Sequence, residues 1–129
     1  MLSRSAYQPP RELPFPDHVQ KDLAAGPLAL ELMSERRFAV PDDGAVLTGA
    51  IDRLVLMTRD GRPLAADIID FKTDDLDTTD PAAIDRRVEH YRPQMRSYVR
   101  AICHVYGLPE ERVCARLVML GTERVVEVR

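Results

Sequence analysis

Two apolar, β-branched segments joined by an Asp-Gly turn restrict the fold of this chain more than any other feature. Residues 45–57 (AVLTGAIDRLVLM) and 64–73 (LAADIIDFKT) have the composition of strands. The sequence Arg-Asp-Gly-Arg at 59–62 lies between them, and Asp-Gly between apolar runs is a strong hairpin signal. Upstream, residues 35–40 (ERRFAV) form another strand candidate, followed by a Pro-Asp-Asp-Gly turn at 41–44. These consecutive runs predict an antiparallel three-stranded meander.

The segment after the meander predicts two helices. Asp80 and Pro81 have the pattern of a helix start, an N-cap acceptor followed by proline, and a first helix is expected over 81–90. Pro93 should end or kink that helix, because proline removes a backbone donor and clashes with the preceding turn. A second helix is therefore expected over 93–106.

The second helix has a regular apolar face, and Gly107 follows it as a C-terminal cap does. Its predicted buried face consists of Met95, Tyr98, Val99, Ile102 and Tyr106. Residues 113–120 and 125–128 are further strand candidates. The order predicts an α+β fold: an antiparallel three-stranded meander, then helix, then a further strand and a final short one.

The N-terminal part of the chain differs from the rest. Residues 1–27 contain half of the chain's 10 prolines, too many for a long regular element. We predict a partly irregular extension there, with a short helix over 18–25 that Asp17 caps and Gly26 ends. Residues 28–129 are then the expected core of one domain, which suits a length of 129 residues.

Composition narrows the class of protein. Apolar residues make up 45% and charged residues 30%, as in soluble globular domains, and no apolar run reaches the ~18 residues of a membrane span. Cys103 and Cys114 form no CxxC pair, which favours reduced thiols of the cytoplasm and is too few for an iron–sulfur cluster. The net charge of −3 neither indicates nor excludes a nucleic-acid binder, since carboxylates around a metal offset arginines elsewhere.

Two acidic residues, Asp52 and Asp70, lie inside apolar strand candidates, where a charge is costly unless it is paired or binds a metal. With a two-residue turn, Asp52 would lie opposite Ile69 and Asp70 would point to the other side of the sheet. With a three-residue turn at 59–61 and a left-handed glycine, Asp52 would lie opposite Ile68. Asp52, Asp70 and Lys72 would then share one face. We predict the three-residue turn.

Carboxylates that converge in this way indicate a metal site. Two like charges so close raise one pKa unless a cation compensates them, and Mg²⁺, with Mn²⁺ as the alternative, fits a sparse oxygen site. Such a metal would bind a phosphate oxygen and a water. Lys72 would reach the same phosphate group or that water, which attacks the phosphate. The alternative is an ordinary strand-end ion pair, in which Asp70 and Lys72 combine with Arg53 and Asp74.

Three motifs then resemble a known family. Residues 49–54 (GAIDRL), 69–74 (IDFKTD) and 91–98 (YRPQMRSY) resemble the G-x-I-D-R, D-Y-K-T and Y-x-x-Q-x-x-x-Y motifs of AddA/RecB-type nuclease domains. That family belongs to the PD-(D/E)XK superfamily, with a restriction-endonuclease-like core. The resemblance implies a metal-dependent DNA exonuclease of the cytoplasm and nucleoid that processes DNA ends in recombination and repair. A helicase motor in the same full-length chain or in a partner subunit is also implied.

The resemblance also implies roles for individual residues. Asp52 and Asp70 would bind the metal with help from the Phe71 carbonyl, and Lys72 would be the catalytic lysine. Glu35 corresponds to an acidic residue before the meander that can bind a metal-associated water, with Glu31 as its rival.

The helix motif implies a DNA contact. Gln94 and Tyr98 would lie beside the active site and help to hold DNA, and their spacing of four does place them on one helix face. A core aromatic is the alternative for Tyr98. Arg92 and Arg96 are candidate phosphate contacts, with solvated surface arginines as the alternative.

The sequence also departs from the family. The family has an upstream helix with a metal-binding histidine in a G-T-x-x-H setting, and the neighbours of His18 do not match it. His90 and His104 are interpreted as surface or packing residues, Phe71 replaces the usual tyrosine, and a P-loop is absent. We therefore expect a fragment or short relative of a larger machine that lacks the histidine helix.

Two other functions remain open. One is a catalytically weak or inactive DNA-binding or protein-docking module that retains the nuclease fold, which the missing histidine favours. The other is the related iron–sulfur nuclease group of CRISPR systems, which the lack of clustered cysteines opposes.

Overall fold

The computed structural model describes residues 15–73, 80–120 and 124–128. In these ranges five strands form one sheet in the order of the sequence. The first three strands are antiparallel neighbours, the next pairs in parallel with the third, and the last is again antiparallel. The elements are α1 (Asp17–Ala24), β1 (Ala29–Asp42), β2 (Ala45–Arg59), β3 (Arg62–Lys72), α2 (Pro81–Tyr106), a 3₁₀ turn (Glu110–Arg112), β4 (Val113–Met119) and β5 (Arg124–Glu127). The predicted α+β, restriction-endonuclease-like fold is confirmed.

Each face of the sheet buries a separate apolar cluster beneath one helix. The α2 face is the larger, and its buried residues include Ile51, Leu54, Ile68, Leu117, Met95 and Ile102. The α1 face is smaller and buries Phe15, Val19, Leu23, Val55, Met57, Ala65 and Cys114. Because side chains alternate along a strand, β3 and β4 supply both clusters, so their sequences are almost continuously apolar.

Helix α1 lies within the segment predicted as an extension, and it packs on the sheet. Its N-cap is Pro16, with no side-chain hydrogen bond, so the predicted cap by Asp17 is wrong. Asp17 is instead the first helical residue, where its charge favours the positive end of the helix dipole. At the other end Arg59 donates hydrogen bonds to the carbonyls of Asp22, Leu23 and Gly26 at 3.0–3.1 Å. This guanidinium ties α1 to the end of β2.

Helix α2 is one continuous helix of 26 residues, so the prediction of two helices separated at Pro93 is wrong. Pro93 lies on the exposed side, where the carbonyl that it leaves without a partner can face solvent. Buried residues before and after it, including Val88 and Met95, hold both halves against the same sheet. None of the helices in the described ranges is both long and apolar enough to cross a membrane.

Both predicted ends of the helical region are confirmed. The side chain of Asp80 accepts a hydrogen bond from the Ala82 amide at 3.0 Å, as an N-cap does. Gly107 has φ 65 and ends the helix in the left-handed conformation that glycine adopts without strain.

The β2–β3 turn has two residues, so the predicted three-residue turn is wrong. Arg59 pairs with Arg62, and the central residues Asp60 and Gly61 have φ of 52 and 76. The register of the two strands then shifts by one residue. Thr58 pairs with Pro63, but Met57 pairs with Ala65, so Leu64 has no partner and forms a bulge. The bulge lies directly after Pro63, because proline has no amide hydrogen and interrupts the ladder of backbone hydrogen bonds there.

The bulge changes which residues lie opposite each other. Arg53 pairs with Ile69, so one further step brings Asp52 level with Asp70, and the predicted position of Asp52 opposite Ile68 is wrong. The predicted common face survives, because the extra residue in β3 restores the side-chain alternation that the shorter turn would have reversed.

In strands β1 and β2 the alternation of side chains between the two faces of the sheet reverses, and it does so at neighbouring positions, Glu35 and Asp52. In β1 the even-numbered Leu30 and Leu32 pack on the α1 face, yet the even-numbered Phe38 packs on the α2 face. Glu35, with φ 51, lies between them. Strand β2 makes the same change at Asp52. The odd-numbered Ile51 before it and the even-numbered Leu54 after it both pack on the α2 face. The two strands therefore bend together where β2 leaves β3.

Candidate active site

Asp52 lies where the β2–β3 ladder ends. The last paired residues are Arg53 and Ile69, and beyond them the Asp52 side chain replaces the backbone acceptor: its Oδ2 accepts a hydrogen bond from the Phe71 amide at 2.9 Å. This bond directs the carboxylate of an exposed residue towards β3, within hydrogen-bonding reach of Asp70.

Asp70 is the buried member of the pair, with 2% of its surface exposed. Its Oδ2 lies 2.8 Å from Lys72 Nζ as an ion pair, but no donor among the described residues meets that oxygen with good hydrogen-bond geometry. Burial raises the pKa of Asp70 to about 6; the ion pair with Lys72 opposes this, and the neighbouring Asp52 adds to it. The structure thus brings Asp52, Asp70 and Lys72 together, as the common face predicted.

Helix α2 holds the ammonium group of Lys72 from the other side. Lys72 Nζ donates a hydrogen bond to Gln94 Oε1 at 3.0 Å and lies 4.2 Å from the centroid of the Tyr91 ring. Both helix residues face Lys72 because residues three apart share one side of a helix. Gln94 therefore contacts the lysine itself, a contact that the motif alone does not reveal.

Tyr98 is a buried neighbour of the carboxylates. Its ring packs edge-on against Phe38, with centroids 5.8 Å apart, and 7% of the residue is exposed. A Cβ at Gly49 would lie 2.7 Å from a Phe38 ring carbon, so glycine is needed there to admit the pair. Burial, together with the charges of Asp70 and Asp52, raises the pKa of Tyr98 to about 12. Its hydroxyl therefore stays protonated beside the acids at neutral pH.

The remaining predicted site residues lie further out. Arg92 forms an ion pair with Glu89 at 2.8 Å, and Arg96 is exposed on α2. Glu35 is exposed and lies level with Asp52 across the β1–β2 ladder. Within residues 15–73, 80–120 and 124–128, no group of three or more His, Cys, Asp or Glu side chains is arranged to hold a metal ion. Glu35 therefore does not complete a three-ligand group with Asp52 and Asp70 in this structure.

The two carboxylates nevertheless fit a hard divalent cation. Asp70 Oδ2 is buried, and among the described residues it has the Lys72 ammonium 2.8 Å away as an ion pair but no hydrogen bond of good geometry. The Asp52 carboxylate lies near enough to raise the pKa of Asp70. Mg²⁺ commonly takes one or two protein carboxylates and keeps several waters, so it does not need a closed cage. A cation at this place would lower the pKa that burial and like charge have raised.

Two contacts around these acids were not predicted from the sequence, although Arg53 was named as a member of the alternative ion-pair network. The Tyr91 ring packs against the Lys72 ammonium, although the sequence assigned no role to this residue. The Arg53 guanidinium lies over the Phe71 ring, 5.3 Å from its centroid. The alternative predicted from the sequence was an ion-pair network of Asp70 and Lys72 with Arg53 and Asp74. Asp70 does form an ion pair with Lys72, but among the described residues no ion pair joins it to Arg53. Asp74 lies outside the described residues. Tyr91 could have been found from its spacing of three to Gln94.

A meander, a crossover helix, a parallel fourth strand and a D-x-K triplet at the end of β3 together define a restriction-endonuclease-like domain. The chain matches the sequence model of the PD-(D/E)XK nuclease superfamily over residues 9–128. It therefore belongs to the PD-(D/E)XK nuclease superfamily, and membership implies a nuclease domain, with DNA as substrate and divalent metal ions as the usual cofactor. A search of curated proteins gave no match.

Proposed function

We propose that this domain is a Mg²⁺-dependent deoxyribonuclease of the AddA/RecB type that acts as an exonuclease on DNA ends. The observation that supports this most is the meeting of Asp52, Asp70 and Lys72 where β2 and β3 separate. An acid pair and an ammonium group at an open sheet end suit phosphodiester hydrolysis, in which negative charge develops on a phosphate.

The proposed roles follow from the contacts. Asp52, Asp70 and the Phe71 carbonyl would hold Mg²⁺ or Mn²⁺, and Glu35 would bind a metal-associated water. When bound, the metal lowers the pKa of a water and stabilises charge on the phosphate. Lys72, oriented by Asp70, donates a hydrogen bond to a phosphate oxygen or to the attacking water. The bond from the Phe71 amide keeps the Asp52 carboxylate aimed at β3.

The proposed substrate contacts lie on α2. Gln94 and Tyr98 lie beside the acids, and Arg92 and Arg96 provide positive charge on the same helix for DNA phosphates. We further propose that a helicase motor, in the same full-length chain or in a partner subunit, supplies DNA ends in recombination and repair. This would place the protein in the cytoplasm at the nucleoid; the AddA/RecB-like motifs alone support these last points.

Metal binding tests this proposal more directly than cleavage does. Calorimetric titration with Mg²⁺ or Mn²⁺ should show a site in the unaltered chain that Asp52→Asn and Asp70→Asn each lose, together with metal-dependent cleavage of DNA. Asp60→Asn is the matched control, because Asp60 is an exposed turn residue with positive φ, which asparagine also adopts. Metal binding that persists in Asp70→Asn would remove the assigned site.

A second candidate function is a DNA-binding or docking module without turnover. It is favoured by the absence, among the described residues, of a third His, Cys, Asp or Glu ligand beside Asp52 and Asp70. DNA affinity without binding of either ion would support this module over the nuclease.

A further inference from the structure

Most half-buried arginines of the described residues have an anionic partner within the chain. Arg59, Arg92, Arg112 and Arg116 each form an ion pair of 2.6–3.6 Å with an aspartate or glutamate. Arg36 is half-buried without such an ion pair among the described residues, but it donates hydrogen bonds to the Tyr106 hydroxyl and the Arg37 carbonyl. Such pairing is expected, because a partly desolvated guanidinium without an acceptor is costly.

Arg53 is different. It is half-buried, its Nε is buried without a hydrogen-bond partner, and no carboxylate of residues 15–73, 80–120 or 124–128 forms an ion pair with it. Its guanidinium lies 5.3 Å from the centroid of the Phe71 ring. A contact of this kind fixes the guanidinium plane, and it leaves the two terminal nitrogens, which unlike Nε are not among the buried atoms without a partner, available as donors.

Phe71 connects this arginine to the candidate active site. The Phe71 amide binds Asp52, while its ring lies beneath Arg53. By strand alternation, Arg53 and Phe71 belong to the α1 face, with Val55, whereas Lys72 contacts α2. The open end of the sheet therefore has an acid pair in its middle and one cation on each side.

We propose that Arg53 binds a backbone phosphate of the DNA strand, adjacent to the phosphate that the carboxylate pair would engage. This inference rests on the proposed nuclease function. A DNA strand that crosses two carboxylates is repelled unless cations contact its neighbouring phosphates, and a planar guanidinium with unpaired donors is the side chain best suited to a phosphate. The anion that Arg53 lacks within the described chain is thus supplied by the substrate.

DNA binding in Ca²⁺, where cleavage is suppressed, tests this inference. Fluorescence anisotropy with a labelled duplex that carries a single-stranded end should show that Arg53→Met weakens binding about tenfold. It should also reduce the slope of log Kd against log salt by about one, the signature of one lost phosphate contact. Arg53→Lys, which keeps the charge, should keep the slope and recover part of the affinity. Arg62→Met, at the exposed β2–β3 turn, is the matched control and should bind as the unaltered chain does.

Unchanged affinity and salt slope in Arg53→Met would overturn the inference. If Arg53→Met is unfolded by circular dichroism, Arg53→Lys provides the test. A folded lysine variant with reduced affinity supports the phosphate contact, whereas a folded lysine variant with full affinity shows that the arginine is purely structural. The two proposals fail separately. A chain that binds DNA through Arg53 but binds no metal contradicts the nuclease, whereas metal-dependent cleavage with Arg53-independent binding contradicts this inference alone.

Discussion

Replacing Asp70 with asparagine should stabilise the metal-free protein at neutral and alkaline pH, although it removes a charge that forms an ion pair. Burial raises the pKa of Asp70 from 3.8 to about 6, and the ion pair with Lys72 does not cancel this effect. The ionised side chain is therefore less stable in the folded chain than in the unfolded chain. Asparagine has nearly the shape of the neutral acid, and its amide can donate to the neighbouring Asp52.

The magnitude follows from the two pKa values. The difference between 3.8 and about 6 corresponds to roughly 3 kcal/mol of folding free energy. For an acid with a raised folded pKa, this stability is present below the unfolded pKa and is lost as the pH rises through the folded pKa. Asp70→Asn should thus gain about 2–3 kcal/mol near pH 8 and less than about 1 kcal/mol near pH 4.

Urea unfolding followed by circular dichroism in the presence of EDTA measures this difference at both pH values. Asp60→Asn, at the exposed turn, should change little at either pH and serves as the control. A thousandfold excess of Mg²⁺ over its Kd should then reverse the order, since a ligand that binds only the folded chain stabilises it, by about 4.1 kcal/mol at that excess. An Asp70→Asn chain that is no more stable than the unaltered chain near pH 8 without metal would refute the reasoning.

Three further substitutions test contacts around the site. Tyr91→Leu should lower the cleavage rate roughly fivefold by removing the aromatic face beside the Lys72 ammonium, and Tyr91→Phe should retain it; a loss in both variants would exclude the ring face. Gly49→Ala should destabilise the fold by about 1–3 kcal/mol in urea unfolding, because its Cβ would meet the Phe38 ring at 2.7 Å. Asp80→Ala should cost about 1 kcal/mol in the same assay, through loss of the N-cap of α2, and an unchanged midpoint would contradict that role.

The sequence predicted those elements whose signals are local. The meander, the helix start at Asp80, the helix end at Gly107 and the later strands all follow from short-range chemistry, and the structure contains them. The break at Pro93 was wrong because the local rule competes with packing over the whole helix. Two buried faces on either side of an exposed proline outweigh one lost hydrogen bond.

The predicted grouping of Asp52, Asp70 and Lys72 was correct in outcome but not in its cause. A sequence shows the apolar periodicity and the D-x-K triplet, but it does not show that Gln94 and Tyr91 meet Lys72 or that the Arg53 guanidinium lies over Phe71. These contacts depend on how α2 crosses the sheet and on how β2 bends. Both are set by packing between segments far apart in the chain.

The turn and the bulge at Pro63 together determine whether the two acids lie on the same face of the sheet. A two-residue turn alone would put Asp52 and Asp70 on opposite faces of the sheet, as strict alternation requires. The unpaired Leu64 next to Pro63 adds one residue to β3 and returns Asp70 to the α2 face. The exchange of faces at Asp52 then directs that side chain along the sheet, towards the Phe71 amide, at the point where the ladder ends. A proline that removes a hydrogen-bond donor from the strand is thereby coupled to the register on which the candidate site depends.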